Sequence, residues 1–322
     1  MRLTIAIPTF NRQIFLARLL NVLAVEIEGR EDIIEIFVSD NASTDGTDRV
    51  IANIVARYPH IRAVRNSVNV GVDANIVQCF RAARGAHVWI MGDDDMPKLG
   101  VIDRMLDLLI EAAPDLVYLP SEWIPEVVRP DQGTGYDPTA VIACDRLAFA
   151  QRVNVWLTFL SGIVVRKDHA AGFDTAALEG TNLIQLSWVL AALRQGSVFY
   201  AFQDALVLAT GGNTGGYAVI KVFGANFPAL IAATFGRKSA MFRAVVGPTV
   251  ASYLPQLIWN VRNGQGGKFA VELPWVDLRR EIGRFPAFWS VVVPVGRAPL
   301  PLARGVLLTS RVVAKLARLV CR

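Results

Sequence analysis

The chain reads as an α/β protein built on a doubly wound, mostly parallel sheet, with a helical region appended at its C-terminal end. Three observations predict this. Short apolar runs alternate with helical patterns over the first hundred residues, polar loops follow those runs at their carboxyl ends, and beyond Tyr217 the pattern changes to long apolar helices separated by Pro and Gly. Leu3 to Ile7 is the first strand. Pro8-Thr9-Phe10-Asn11-Arg12 turns the chain into a helix from Gln13 to Val25, whose Ile14, Leu16, Leu19, Leu20 and Leu23 share one face. Ile33 to Ser39 is the second strand, and the polar stretch Asp40 to Thr47 leads into a helix ending near Tyr58, with Thr44 or Asp45 placed to cap it. Ile61 to Val64 is a third strand. Asn69 to Asn75 opens a helix through Ala83 that Gly85 is placed to close, and Ala86 to Met91 is the fourth strand.

Farther on, Leu99 to Ala112 and Asn182 to Gln195 are helical, while Leu116 to Leu119 and Phe159 to Val165 are strands. Pro120 to Pro138 reads as a surface connection, and Val198 to Leu208 as a strand pair or one bent strand. Gly211 to Gly216 is a glycine-rich loop suited to fold over a ligand or simply to link two regions. A boundary near residue 220 divides the chain into 1–220 and 221–322.

Hydrophobic residues make up 53% of the 322 and charged residues 19%, against about 45–50% and about 25% in ordinary soluble proteins. This apolar excess asks for a further burial partner, either a membrane or another subunit in a homo-oligomer. Net charge is +5, and from Arg297 to Arg322 the chain holds Arg297, Arg304, Arg311, Lys315, Arg318 and Arg322 without an acidic residue. Such a tail suits anionic headgroups better than a nucleic-acid surface, and Trp259, Trp275, Trp289, Phe285 and Phe288 add interfacial aromatics. Cys79, Cys144 and Cys321 have neither disulfide-framework nor metal spacing, which suits a reducing compartment. No apolar stretch reads as a signal peptide or reaches the length of a spanning helix. HExxH, GxSxG, Walker and GxGxxG patterns are absent, which argues against metalloprotease, serine hydrolase, ATPase and dehydrogenase classes.

Gly92-Asp93-Asp94-Asp95 directly follows the apolar run His87 to Met91, so three carboxylates stand at the carboxyl end of a buried strand, where open α/β sheets bind ligands. Adjacent like charges raise each other's pKa, and a hard divalent cation is their natural complement. The plainer alternative is a solvated acidic turn. Pro8 to Arg12 and Asp40 to Thr47 reach the same sheet edge, however, and several polar loops converging on one crevice describe a nucleotide site.

In order and spacing, Ile7-Pro8-Thr9-Phe10-Asn11-Arg12, Ser39 to Thr47, Asn69-Val70-Gly71 and Asp93-Asp94-Asp95 closely resemble the successive motifs of glycosyltransferase family 2. The resemblance is strong over residues 1–120, looser over 150–215, and nearest to bacterial enzymes of the abequosyltransferase type that build surface polysaccharide. It implies a GT-A fold and a metal-dependent, inverting transfer of sugar from a nucleoside-diphosphate donor to a hydroxyl of a lipid-linked glycan, at the inner face of the cytoplasmic membrane. Pro8, Thr9 and Asn11 would line the nucleotide pocket, Asp40 would accept from the base, and Asn69, Gly71 and Asn75 would lie beneath the nucleotide. Asp93 or Asp94 would reach the ribose, and Asp95 would bind Mg²⁺ or Mn²⁺. The family's usual Glu-Asp pair before a helix is missing; the region reads Asp174-Thr175-Ala176-Ala177-Leu178-Glu179-Gly180. Glu179 is the first candidate for the catalytic base and Asp174 the second, while Gln185 and Trp188 face either sugar or core. Two other readings stay open: a sugar-phosphate nucleotidyltransferase, which would carry a Gly-rich basic loop where Pro8 to Arg12 stands, and a non-catalytic nucleotide-binding scaffold on a membrane.

Overall fold

Strands β1 (Leu3–Thr9), β2 (Ile34–Asp40), β3 (Ile61–Arg65) and β4 (His87–Ile90) alternate with helices α1 (Gln13–Glu26), α2 (Thr47–Arg57) and α3 (Val72–Ala82) in the computed structural model. Every residue of β2 and β4 is buried, as expected of a sheet covered on both faces. There follow β5 (Met96–Pro97), α4 (Val101–Glu111), β6 (Leu116–Tyr118), β7 (Ser121–Ile124), β8 (Val141–Cys144), α5 (Arg146–Val153), β9 (Ile163–Arg166), α6 (Leu186–Gln195), β10 (Phe199–Phe202) and β11 (Val207–Thr210). The large sheet has the order β3-β2-β1-β4-β9-β6-β10-β8. Its first four strands are parallel, and β9 runs antiparallel to both of its neighbours. Because β4 lies between β1 and β9, the turn that follows it opens into the middle of the sheet edge. A second sheet, β5-β11-β7, stands beside that turn.

Residues 1–170, 175–211, 216–264 and 272–320 are described by the structure. They fall into two compact units, Met1–Phe149 with Trp156–Gly211 and Ala150–Val155 with Gly212–Arg322. Within the first unit, the core gathers Leu3, Ile5 and Ile7 of β1, Leu16, Leu19, Leu20 and Leu23 of α1, and Trp89 of β4. The α1 positions are the apolar face expected from spacing, except Ile14, which is 62% exposed.

Several elements differ from the sequence-based expectation. Ser121–Ile124 is a strand inside the expected surface connection, held by parallel pairing with β11. Val198 to Leu208 resolves into two strands belonging to different sheets. The expected strand at Phe159 begins only at Ile163, after a 3₁₀ turn over Leu160–Gly162. Gly85 does not close α3 in a left-handed conformation; the cap is Ala83, with φ −58° and ψ 135°. Gly85 instead lies against β1, where a Cβ would stand 2.5 Å from Thr4 N and 2.6 Å from Leu3 C.

In the second unit, the helices are α7 (Val219–Lys221), α8 (Phe227–Phe235), α9 (Ala240–Pro248), α10 (Leu254–Arg262), α11 (Trp275–Ile282), α12 (Val293–Arg297) and α13 (Leu300–Val320). Pro274, Pro299, Gly236 and Gly283 stand between helices as expected, but three other prolines do not. Pro228, Pro255 and Pro294 sit second in α8, α10 and α12, and each of these helices continues unbroken from a five-residue π-turn: Val222–Asn226, Thr249–Tyr253 and Phe288–Val292. A proline offers no N–H to the carbonyl four residues back and crowds it sterically. The wider π-turn accommodates that carbonyl, so the helix passes through the proline.

Among the described residues no helix is long and apolar enough to cross a membrane. Of the aromatics expected at an interface, Trp289 is 52% exposed, whereas Phe288 is buried and Trp275 packs on Gly296 and under the Arg297 guanidinium. The close approach at Gly85 sets a test of the first unit. Gly85→Ala is expected to lower stability by about 1–3 kcal/mol, the usual range for overpacking, measured as a lower urea midpoint.

Candidate functional site

Three loops at the carboxyl ends of β1, β2 and β4 meet through side-chain hydrogen bonds. Thr9, at the end of β1, donates from Oγ1 to Asp93 Oδ2 at 2.7 Å. Asn11 holds φ at +54°, a conformation that asparagine tolerates better than most residues. It joins the β2 loop in both directions: its N–H donates to Ser43 Oγ at 2.8 Å, and its Oδ1 accepts from Thr44 N–H at 2.7 Å. Asp45 Oδ1 accepts from Thr47 N–H at 3.0 Å, and its Oδ2 from Gln13 N–H at 3.1 Å. The N-cap of α2 is nevertheless Gly46, at φ 103°, so Asp45 serves the helix from one position earlier than a cap. Pro8, which has no N–H to donate, stands opposite Ser39 in the β1–β2 register.

Asp40 is fully buried. Its Oδ1 accepts from Ser43 N–H at 3.0 Å, while Oδ2 lies 3.6 Å from Arg65 Nε and has no hydrogen-bond donor among the described residues. Next to it, Asn41 organises the loop before α3. Its Nδ2 donates to Asn69 Oδ1 at 2.8 Å and to Gly71 O at 3.2 Å, and its Oδ1 accepts from Val70 N–H at 3.0 Å. Gly71 has φ +90° and ψ 160°, a backbone that only glycine adopts without strain. Asn75 is tied back to β2, accepting from Ser39 Oγ at 2.6 Å and donating to Ser39 O at 3.1 Å. Asp40, Asn69, Gly71 and Asn75 thus form one connected set.

The acidic turn is divided by burial. Asp93 and Asp95 are 8% and 7% exposed, and Asp94 is partly open with Arg12 Nη1 4.0 Å from its carboxylate. Ser161, in the turn before the neighbouring β9, braces the acidic turn: its Oγ accepts from Gly92 N–H at 2.8 Å and donates to Asp95 Oδ2, and its carbonyl accepts from Trp89 Nε1 at 2.9 Å. Thr210, at the end of β11, donates from N to Asp95 Oδ1 at 3.4 Å and from Oγ1 to Asp94 O at 3.0 Å. Burial first, then the neighbouring Asp94 charge, pushes both the Asp93 and Asp95 carboxyls up to about 7.

Among the described residues no three His, Cys, Asp or Glu side chains converge to hold an ion by themselves. The donor set still fits Mg²⁺ or Mn²⁺ completed by a bound diphosphate and water, since Mg²⁺ commonly takes only one or two protein carboxylates. Asp95 is a hard oxygen donor held in place by two hydroxyl-bearing residues, in a spot where the protein leaves the carboxylate charge poorly compensated. Gly92 keeps this turn open, because a Cβ there would come within 2.9 Å of Asp95 Oδ2.

Glu179 lies elsewhere on this unit. It follows the 3₁₀ turn Ala176–Leu178 and is exposed, and the N–H of its neighbour Gly180 donates to Asp73 Oδ2 on α3 at 3.2 Å. Burial above all, and then the Glu179 charge, hold the Asp73 carboxyl above its usual range. Glu179 and Asp73 line a cleft of about 930 Å³ with Gly71, Val72, Ala74, Val77 and Ile184. Among the described residues no hydrogen bond or ion pair joins Glu179 to Asp93, Asp94 or Asp95. Asp174 and the glycine-rich loop 212–215 lie outside the described residues. Trp188 belongs to the core, stacked on Phe80 with ring centroids 4.4 Å apart, and Gln185 is buried and donates to Thr158 O at 2.5 Å.

Sequence reasoning missed Ser161, Thr210 and Arg65. Arg65 stands next to a quoted motif and could have been found there. Ser161 and Thr210 carry no local signal, since only strand pairing brings residues 66 and 115 positions away to Asp95.

Asp93 and Asp95 hold their protons to about pH 7 when folded, against an ordinary 3.8. Protonation therefore stabilises the fold at acid pH, and that contribution is lost as pH rises through 7. Without divalent cations, the melting temperature should fall between pH 5 and pH 8, and Mn²⁺ should restore it at pH 8 more than at pH 5. Calorimetry across that range checks both.

Residues 4–142 match the model of glycosyl transferase family 2. Abequosyltransferase RfbV of Salmonella typhimurium is 40% identical over 111 residues, which cover 33% of each chain, so the match spans about a third of that relative's length. The structure is similar to residues 1–349 of S. aureus TarS, with TM-score 0.62 and 16% identity over 96% of this chain and 89% of that one; TarS is also known in complex with UDP and with UDP-GlcNAc. It is similar as well to the mannosyltransferase PcManGT of Pyrobaculum calidifontis in complex with GDP-Man and Mn²⁺, with TM-score 0.54 and 16% identity over 97% of this chain and 80% of that one. The α/β unit has the GT-A fold, and residues 4–142, less than half of the chain, are similar to glycosyl transferase family 2.

Proposed function

We propose that this protein is an inverting glycosyltransferase that moves a sugar from a nucleoside diphosphate to a hydroxyl of a lipid-linked glycan in cell-surface polysaccharide synthesis. The observation that carries this reading is the buried Asp93 and Asp95 pair on the same sheet edge as Thr9 and Asp40, within the segment that matches the family model. The abequosyltransferase similarity supports a polysaccharide product, and the UDP-GlcNAc and GDP-Man complexes of the structural neighbours support a nucleotide-sugar donor.

In this reading Pro8, Thr9 and Asn11 line the nucleotide pocket. Asp40 offers Oδ2 to a base N–H, which takes the place of the Arg65 contact at 3.6 Å. Asn69, Gly71 and Asn75 support the nucleotide from beneath, with Asn41 holding the first two in place. Asp93 or Asp94 meets the ribose, and Asp95, fixed by Ser161 and Thr210, is the ligand for Mg²⁺ or Mn²⁺. When bound, the metal stabilises the charge that develops on the leaving diphosphate. Glu179, with Asp174 as the second candidate, removes the proton from the acceptor hydroxyl as its oxygen attacks the anomeric carbon opposite the departing diphosphate.

A peripheral position on the cytoplasmic face of the membrane fits a lipid-linked acceptor. Leu302, Leu308 and Val312 of α13 are 64%, 49% and 58% exposed, in a segment whose charged residues are all basic. Apolar side chains interspersed with cations match the chemistry of an anionic bilayer surface.

Turnover of a panel of nucleotide sugars with Mn²⁺ tests the enzyme reading, which fails if donors bind and none is transferred or hydrolysed. Glu179→Gln should abolish transfer while sparing donor affinity. Ser161→Ala should weaken Mn²⁺ binding by about 10-fold to 100-fold, as loss of a ligand-orienting partner does, read by calorimetric titration in the presence of UDP. Flotation with anionic liposomes tests the location: removal of residues 297–322 should release the protein, and unchanged binding would exclude the basic tail as the anchor.

A further inference from the structure

The second unit carries a cluster of cations that its own acids do not balance. Residues 236–243, at the α8–α9 turn and the start of α9, and residues 277–284, in α11 and just after it, together hold six basic and two acidic side chains. Glu281 is buried and joins the two segments: its Oε2 lies 2.5 Å from Arg237 Nη2 and its Oε1 2.8 Å from Arg280 Nε. Asp277 is also paired with Arg280, at 2.9 Å. That leaves Lys238, Arg243, Arg279 and Arg284, all exposed and without an ion pair among the described residues. Direct contacts hold them together. Arg284 Nη1 donates to Arg237 O, Arg243 Nη1 donates to Lys238 O at 2.7 Å, and the Arg284 guanidinium lies 5.9 Å from the centroid of the Phe242 ring. Arg279 lies 5.8 Å from the ring centroid of Trp289, which is 52% exposed and donates its Nε1–H to Gly283 O at 2.7 Å.

Helix dipoles do not account for this arrangement. They favour Arg279 and Arg280 in the last turn of α11, but they disfavour Arg243, which lies in the first turn of α9. Four exposed like charges repel one another unless an anion lies over them, and guanidinium groups present forked N–H donors that match phosphate oxygens. The indole supplies the other half of the match. Because its N–H is bonded within the protein, the apolar body of Trp289 leaves water without losing a hydrogen bond, as aromatics do at the headgroup level of a bilayer. We propose that the α8–α9 turn and the end of α11 form a second membrane contact, in which Lys238, Arg243, Arg279 and Arg284 bind the phosphates of anionic lipids and Trp289 enters the interface. This contact is separate in sequence from the basic tail, and its assignment rests on the peripheral position argued above. One weak anchor holds a protein only marginally, whereas two hold it stably, so each of the two contacts is necessary.

Flotation of the full-length protein with phosphatidylcholine vesicles, with and without phosphatidylglycerol, at about 0.1 M salt provides the test. The combined variant Lys238→Gln, Arg243→Gln, Arg279→Gln and Arg284→Gln keeps the tail and should lose about 10-fold or more in partitioning to the anionic vesicles. A charge-matched control changes Arg49, Arg57, Arg129 and Arg194 to Gln, all exposed and scattered over α2, the loop before β8, and α6. It should stay within about 3-fold of wild type, since dispersed charges are screened. Brominated acyl chains in the anionic vesicles should quench the wild-type indole fluorescence, and part of that quenching should be lost in Trp289→Phe. The proposal is overturned if the combined variant floats like wild type, if the control falls equally, or if quenching is the same with and without Trp289. Loss of binding to a short DNA duplex with vesicle binding intact overturns it as well and assigns the cations to nucleic acid. If the combined variant floats normally while removal of residues 297–322 releases the protein, the peripheral position stands on the tail alone. If wild-type protein does not float, the peripheral position fails too, and sugar transfer measured in solution is untouched.

Discussion

Two carboxylates buried at the end of a central strand are the constraint around which the first unit is arranged. Asp93 and Asp95 follow β4, and β4 has a parallel neighbour on one side and an antiparallel one on the other, so their turn cannot retreat into solvent. A buried carboxylate is costly unless donors surround it or it keeps its proton. The fold supplies the donors from distant segments: Thr9 from β1, Ser161 from the turn before β9, and Thr210 from β11. The large sheet and the small one are thereby fastened at one point, and the antiparallel β9 is what brings Ser161 there. Placement of polar groups at this edge and the mixed topology of the sheet are two views of the same requirement.

The loops at this sheet edge are joined mostly through asparagine and backbone. Asn11 fixes the first loop to the second, and Asn41 fixes the second to the third. Side-chain amides both donate and accept, so a small number of them can set three loops without adding charge. The charged groups are thereby left out of the loop framework: Asp40 keeps one oxygen without a hydrogen-bond donor among the described residues, and Asp94 stands beside Arg12.

Legibility in the sequence follows the range of the interaction concerned. The parallel half of the sheet was readable because β1, β2 and β4 are short, mostly apolar runs, and each polar loop sits immediately after one of them. Spacing placed those loops on one sheet edge, and the resemblance to a known family named the residues within them, from Thr9 through Asp95. β7 and β8 were not readable: Ser121–Ile124 and Val141–Cys144 are partly exposed four-residue strands defined by their partners β11 and β10 rather than by their own composition. Ser161 was hidden for the same reason. Gly85 was misread because helix closure is the commoner use of such a glycine, whereas here the backbone of β1 occupies the space a side chain would need. The prolines of the second unit were read as breaks because the pattern of a π-turn is indistinguishable in sequence from that of an α-helix.

Those π-turns bear on how the second unit can vary. Each π-turn accommodates about one residue more than an α-helical turn would, and one residue corresponds to a rotation of about 100° around a helix of 3.6 residues per turn. Shortening Val222–Asn226, Thr249–Tyr253 or Phe288–Val292 by one residue would leave the hydropathy pattern nearly unchanged, yet would swing the buried faces of α8, α10 or α12 a quarter turn out of alignment. Chain length at these three turns, more than the identity of the apolar residues around them, is what keeps the phase of the helical unit.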